Sequence, residues 1–211
     1  MKINEFTILE SSNLYLVPYE NFHVEKYNEW MKSEELQLLT NSEPLTIEEE
    51  YQCQKSWRND DKKLTFIILS KEKYKTLNGN FQEKEIYSMI GDINMFFHPG
   101  FDIIDSMTAE IEVMIADPNF RMQGLGEESV LTMMMYTSQC SDIVFNAFTV
   151  KIGFNNTPSI NLFKKLGFDI VEKNEYFQEY NMKINRYNVK VPSKLENNWK
   201  LFIKSTNHLR L

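Results

Sequence analysis

The chain reads as a mixed α/β domain, a mostly antiparallel sheet with helices on its faces. Short apolar, β-branched runs of strand length alternate with stretches of helical periodicity along the whole sequence. The order of these elements is two strands, a strand–helix–strand–helix unit and two closing strands, with helices inserted after the first strand. That order is not the regular alternation of a doubly wound parallel sheet. With 211 residues, 42% apolar and 13% aromatic, the chain can bury a substantial core without disulfides.

Each element has a local reason. Residues 13–19 (NLYLVPY) alternate like a strand and close at Pro18. In NFHVEKYNEWMKSEEL, Phe22, Tyr27, Trp30 and Met31 recur at spacings near three and four, which predicts a helix. Thr46 followed three residues later by Glu49 is a capping-box pattern that opens a second helix. LTFIIL (64–69) suits a buried strand, and KEKYKTLNGNFQEKE, polar and carrying Asn78-Gly79, reads as a long loop. The strand IYSMIGDINMFF and the loop HPGFDIIDSM come next.

The central unit is a strand AEIEVMIA, a turn DPNFRMQGLG, a helix EESVLTMMMYTSQ with Met133–Met135 as core, and a strand VFNAFTVKI. TPSINLFKKL is a helix with Thr157 as N-cap, Pro158 at its first position and Gly167 just past its end. FDIVEK and EYFQEYNMKI pair as a hairpin. The tail SKLENNWKLFIKSTNHL reads as one amphipathic helix presenting Leu195, Trp199, Phe202 and Ile203, so residues 187–211 form an extension to a domain of residues 1–186.

Composition removes several function classes. A net charge of −7 argues against nucleic acid as partner and permits a basic peptide or amine. Cys53 and Cys140 lack metal-ligand spacing and read as reduced thiols, with no metal expected. The N-terminal stretch has no secretory apolar region and no run reaches membrane-spanning length, so a cytoplasmic or nuclear location is expected and no membrane partner. The triplet NNT is followed by Pro158 and is not read as a glycosylation site.

The turn RMQGLG (Arg121, Met122, Gln123, Gly124, Leu125, Gly126) stands between a strand and a helix. Glycines there let backbone N–H groups converge on an anion at the positive end of the helix, and Arg121 adds a fixed charge. A purely structural turn is the plainer reading of the same residues. The dinucleotide fingerprint fails because Ser129 occupies the place of its third glycine, and the Gly-Lys-Ser/Thr of a Walker A loop is absent.

EIEVMIADPNFRMQGLGEESV resembles the acetyl-CoA loop of the GCN5-related N-acetyltransferase (GNAT) superfamily, and NNTPSINLFKKLGF resembles its second signature. From about Leu14 to Ile184 the chain is similar to the RimJ/RimL-type branch, and within it to the N-acetyltransferase 9-like group. The resemblance implies the GNAT fold, a mixed sheet of about seven strands flanked by helices. It also implies acetyl-CoA as cosubstrate and an amine of a protein or peptide as acceptor. The RimJ/RimL relationship points to α-amino groups, and the 9-like group to tubulin and microtubules.

Carried over residue by residue, the resemblance puts backbone groups of Met114, Ile115 and Ala116 on the pantetheine arm, along a strand that is bulged in the superfamily. It puts Arg121–Gly126 around the pyrophosphate, and Asn156 on the cofactor. Glu110 and Glu112, two apart and therefore on one face, are the candidate general bases. Either carboxylate is also explained by solvent exposure or by pairing with a basic residue. Five positions depart from the pattern. Phe163 replaces the tyrosine that protonates the leaving thiolate, Lys151 stands where RimI-type enzymes carry a base, and Met122, Gln123 and Glu127 replace residues that are often basic or small in relatives, Glu127 in the first turn after the loop. A CoA-binding module that works through protein contacts is therefore the alternative to an enzyme.

Overall fold

Among the described residues nine strands form one sheet in the order β7-β8-β6-β5-β4-β3-β2-β1-β9, and every neighbouring pair is antiparallel except β5 and β6. The computed structural model describes residues 2–99, 107–140 and 143–203. β1 (Thr7–Glu10) and β2 (Leu14–Pro18) lead into α1 (Val24–Met31), α2 (Glu34–Thr40) and α3 (Ile47–Asn59). β3 (Lys63–Ser70), α4 (Lys71–Thr76), α5 (Phe81–Ser88), β4 (Met89–Pro99) and β5 (Met107–Ile115) follow. The chain continues through α6 (Leu125–Cys140), β6 (Ala147–Gly153), α7 (Thr157–Lys165), β7 (Asp169–Asn174), β8 (Glu179–Asn185), α8 (Ser193–Glu196) and β9 (Lys200–Ile203).

Strand alternation divides the interior in two. On one face Val130, Met133 and Met134 of α6 and Phe163 of α7 pack with Phe66, Ile93, Ile111 and Phe148. On the other, Val24, Tyr27 and Met31 of α1 pack with Ile67, Leu69 and Met114. The expected core role of Met133–Met135 holds, since all three are buried.

Seven strands were expected, and all seven are present. β1 and β9 are additional, and β9 corrects the tail helix. Only Ser193–Glu196 is helical there, after which Lys200–Ile203 pairs antiparallel with β1 (Leu9↔Leu201, Ile8↔Phe202). Leu201 packs into one core and Phe202 into the other, which a strand permits and a one-faced helix does not. Pairing also covers the open edge that β1 would present. The rest of the expected helix, 204–209, and most of the expected loop 98–107 lie outside the described residues.

The polar loop of residues 71–85 is likewise corrected, to two short helices. Ser70 caps α4, and Asn80 with Glu83 forms a reciprocal capping box on α5. Buried Glu85 anchors α5 through His23, at 3.2 Å. The helix expected over residues 21–36 breaks at Ser33, whose hydroxyl accepts from the Leu36 N–H and so starts a new helix. The cap of α7 is Asn156 rather than Thr157. The Thr46–Glu49 box and the Gly167 stop (φ +89°) are as expected.

Candidate active site

The parallel seam between β5 and β6 closes for only three residue pairs, Thr108↔Ala147 to Glu110↔Thr149, and then the strands part. The β4–β5 register is unbroken from Gly91↔Ile115 to Pro99↔Met107, so the parting involves no register shift on the β4 side. No bulge interrupts that register, but just past its end the N–H groups of Ala116 and Asp117 both donate to the Ile90 carbonyl, the two-against-one pattern of a β-bulge. β4 comes very close to β5 at Gly91, where an added Cβ would stand 1.9 Å from the Met114 carbonyl oxygen.

The Ala116 N–H donates to the Ile90 carbonyl at 2.8 Å. Antiparallel alternation then turns the backbone groups of Glu112, Met114 and Ala116 toward β4, and those of Ile111, Val113 and Ile115 toward the opening. Of the three backbone positions expected there, Ile115 faces the gap, while Met114 and Ala116 face the neighbouring strand. Val113 carries the free edge together with the Ile115 N–H, because the Ile115 carbonyl accepts from Arg121 and the Ile111 N–H belongs to the last pair of the seam.

The loop after β5 places an anion-binding geometry at the end of this gap. Met122 (φ 59°) and Gly124 (φ 78°) are left-handed, and Met122 is exposed. The N–H groups of residues 124–127 donate to no acceptor among the described residues, and the Glu128 N–H closes the first helical bond on the Gly124 carbonyl. A Cβ on Gly124 would meet nothing within 4 Å, so the space above the cradle is open. Gly126 packs under it against Leu162 and Ile115, and Leu125 is buried.

The side chains around the cradle are already engaged. Arg121 donates from Nε to the Ile115 carbonyl at 2.9 Å and pairs through Nη1 with Glu35 of α2 at 2.8 Å. Gln123 donates to the Asn119 carbonyl. Glu127 turns to Lys165 of α7, which neutralises the carboxylate beside the cradle. The Asn156 Oδ1 accepts from the Ser159 N–H at 3.2 Å, a helix cap. Phe163 is buried against Phe168 in the core and has no proton to give.

Opposite α6, the register aligns polar residues in rows on the face that carries α1 and α3. Lys63, Phe96, Glu110 and Thr149 stand abreast on β3–β6, as do Thr65, Asn94 and Glu112 on β3–β5. Glu110 is held by Lys151, whose ammonium donates to both carboxylate oxygens at 3.1 and 2.9 Å. Glu112 makes no hydrogen bond or ion pair among the described residues and reaches solvent. It nevertheless sits in a concave, protein-crowded place. Desolvation raises its proton affinity, Glu110 adds to this, and Lys63 and Lys151 oppose it.

Asp92 and Lys63 lie deeper. Thr65 donates to Asn94 at 2.8 Å and Asn94 to the Asp92 Oδ2 at 2.7 Å, while the Asp92 Oδ1 has no hydrogen-bond partner among the described residues. Burial pushes the Asp92 carboxyl up to about 7 and pulls the Lys63 ammonium down to about 8. The Lys63 Nζ stands 3.0 Å from the centroid of Trp57 and 4.2 Å from that of Phe96. Sequence reading missed Gly91, Lys63 and Asp92. The signal for Asp92 and Asn94 was present, two polar residues on one face of an otherwise apolar strand.

A parted parallel seam, a free strand edge and an N–H cradle at a helix start suit an extended ligand with a phosphate at one end. A family profile for the acetyltransferase (GNAT) domain matches residues 13–169. The chain belongs to the GNAT acetyltransferase family. It is 47% identical over 188 residues to an N-acetyltransferase 9-like protein of Nematostella vectensis, covering 89% of this chain and 90% of that one. It is 42% identical over 210 residues to the alpha/beta-tubulin-N-acetyltransferase 9 of Homo sapiens, covering 99% and 94%. RimL, a ribosomal L7/L12 alpha-N-protein acetyltransferase solved with coenzyme A, shares the fold at a TM-score of 0.64 and 16% identity, over 84% of this chain and 97% of RimL. This GNAT chain is an N-acetyltransferase. Among its described residues no helix is long and apolar enough to cross a membrane, and no group of three or more His, Cys, Asp or Glu could hold a metal ion.

Proposed function

We propose that the enzyme transfers the acetyl group of acetyl-CoA to the α-amino group of a protein, that tubulin is this protein, and that Glu112 is the general base. The relatives named for α/β-tubulin support the acceptor, and the CoA-bound neighbours of the same fold support the donor. The observation that carries the mechanism is Glu112, a carboxylate on the wall of the opening that is open to solvent, unpaired and raised in proton affinity. Glu110, the other candidate, is occupied by Lys151.

The residues present fit acetyl-CoA. Free N–H groups at 124–127 would hold a diphosphate, and the backbone of Val113, with the Ile111 carbonyl and the Ile115 N–H, would pair with an extended arm. Met122 and Gln123 shape the loop, and Asn156 caps the helix beside it. Arg121 would exchange Glu35 for phosphate. The bound thioester supplies an activated acyl group, and its thiolate has an ordinary pKa, so a missing acid at Phe163 does not prevent its departure. An α-amino group titrates near pH 8 and is partly neutral already, so a carboxylate of raised proton affinity suffices to take its remaining proton. The work is assigned to the cytoplasm, where Cys53 would stay a thiol.

The test is transfer of radiolabelled acetyl from acetyl-CoA to unacetylated αβ-tubulin, followed by mapping of the labelled residue. Glu112→Gln should lower kcat by about 100-fold or more with little change in the KM for acetyl-CoA. Near-wild-type turnover by that variant would remove Glu112 from the mechanism. Label on lysine side chains alone would remove the α-amino assignment.

A further inference from the structure

Lys63 is a lysine in the wrong place for a structural role. Its residue is 2% exposed, yet no carboxylate lies within ion-pair distance of its ammonium among the described residues. An apolar side chain there would fill the core without the cost of an unpaired buried charge. The ammonium is instead clamped between the ring faces of Trp57 from α3 and Phe96 from β4. Phe96 stands abreast of Glu110, and Glu112 follows two residues later on the same face of β5. We propose that this clamp makes Lys63 a positioning residue for the reaction, a fixed buried cation that keeps the Glu112 carboxylate charged and ready to accept the acceptor's proton. This role rests on Glu112 being the base.

The surrounding charges single Lys63 out. Glu110 and Lys151 both act on Glu112, but they form a closed pair of opposite sign and largely cancel. Lys63 is the strongest charge opposing the desolvation of Glu112, and Glu112 is the strongest charge acting on Lys63. Asp92 from β4, Cys53 from α3 and Asp60 after α3 act on Lys63 more weakly. Tyr19 after β2, Tyr27 of α1 and Glu50 of α3 also face this cluster. Burial raises the proton affinity of all three. Rigidity matters as much as charge. A lysine on the surface would follow its carboxylate into a contact pair and block it, whereas a clamped one acts across a distance and leaves the oxygens of Glu112 free.

Two titrations by carboxyl and side-chain carbon NMR test this. In Lys63→Met the Glu112 midpoint should rise by about one pH unit. The acid limb of kcat/KM with αβ-tubulin should rise with it, while Lys63→Arg should hold both near wild type. In Glu112→Gln the Lys63 midpoint should fall by a similar amount, because coupling between two groups is reciprocal. This second arm decides the matter even where Lys63→Met does not fold. A change under about 0.3 pH unit in either midpoint overturns the coupling. A lost rate in Glu112→Gln with an unmoved limb in Lys63→Met overturns the role of Lys63 alone. A retained rate in Glu112→Gln overturns the base, and this role with it.

Discussion

Gly91→Ala tests whether the close approach of β4 to β5 holds the centre of the sheet together. The added Cβ would stand 1.9 Å from the Met114 carbonyl oxygen and 3.0 Å from both the Met114 carbonyl carbon and the Ile115 Cα. Real Cβ atoms essentially never come within 3.0 Å of another atom, so the strands must separate by at least 3.0 − 1.9 = 1.1 Å here. Neither partner can yield cheaply, because the nearest atoms are all backbone in mid-sheet. A shift of that size breaks the Asp92–Met114 exchange of hydrogen bonds, and each buried backbone group left unpaired costs about 1–3 kcal/mol. Together with lost packing, a destabilisation of about 3–5 kcal/mol follows. For a domain of this size that lowers Tm by roughly 10 °C. Gly153→Ala is the internal control, since its Cβ would meet nothing within 4 Å. Thermal unfolding followed by circular dichroism at fixed protein concentration measures both. A Gly91→Ala melt within about 2 °C of wild type would show that the strands are not so tightly constrained.

Two further outcomes are expected. Thr46→Ala removes a hydroxyl that accepts from the Glu49 N–H at 3.3 Å and should lower Tm by about 2–4 °C, read in the same melt. Asp92→Asn should stabilise the fold near pH 8 by roughly 1–2 kcal/mol and give no gain near pH 4, measured by urea unfolding. The sign follows from the raised carboxyl. Between its ordinary 3.8 and about 7 the native state holds the proton that the unfolded state releases, so the wild type loses stability as pH rises through that window. An equal effect of Asp92→Asn at both pH values would contradict a desolvated Asp92.

Where burial periodicity or a capping chemistry was strong, the sequence was readable. Thr46 and Glu49, Gly167, Met133–Met135 and the seven expected strands all have one-dimensional signatures, as does the turn at Gly124. The failures lie where long-range pairing overrode local pattern. β9 has helical spacing but two buried faces, and only its pairing with β1 explains it. The polar α5 carries a capping box that its charge disguised, and distant contacts such as Glu85 with His23 and Phe81 with Phe22 hold it to the fold. The site shows the same division. Glu110 and Glu112 were visible as a pair, but which of them is free depends on Lys151, forty-one residues away on a strand in parallel register. Lys63 was invisible for the same reason, since its meaning comes from Trp57 and Phe96.

On the proposed mechanism β5 serves donor and acceptor together because it alternates in two senses at once. Its odd residues, Ile111, Val113 and Ile115, send side chains into the α6 core and backbone groups toward the opening. Its even residues, Glu110 and Glu112, send backbone groups to β4 and side chains to the face under α1 and α3. Recognition of an extended cosubstrate arm would then depend on apolar residues whose identity is set by packing, while the proposed chemistry would depend on residues that packing leaves free to be polar. The two demands meet without competing for one position. The arrangement works only where β6 turns away, because a seam closed along its full length would consume the very N–H and C=O groups that the odd residues offer. On the proposed mechanism the three-pair length of that seam is as much a part of the site as Glu112.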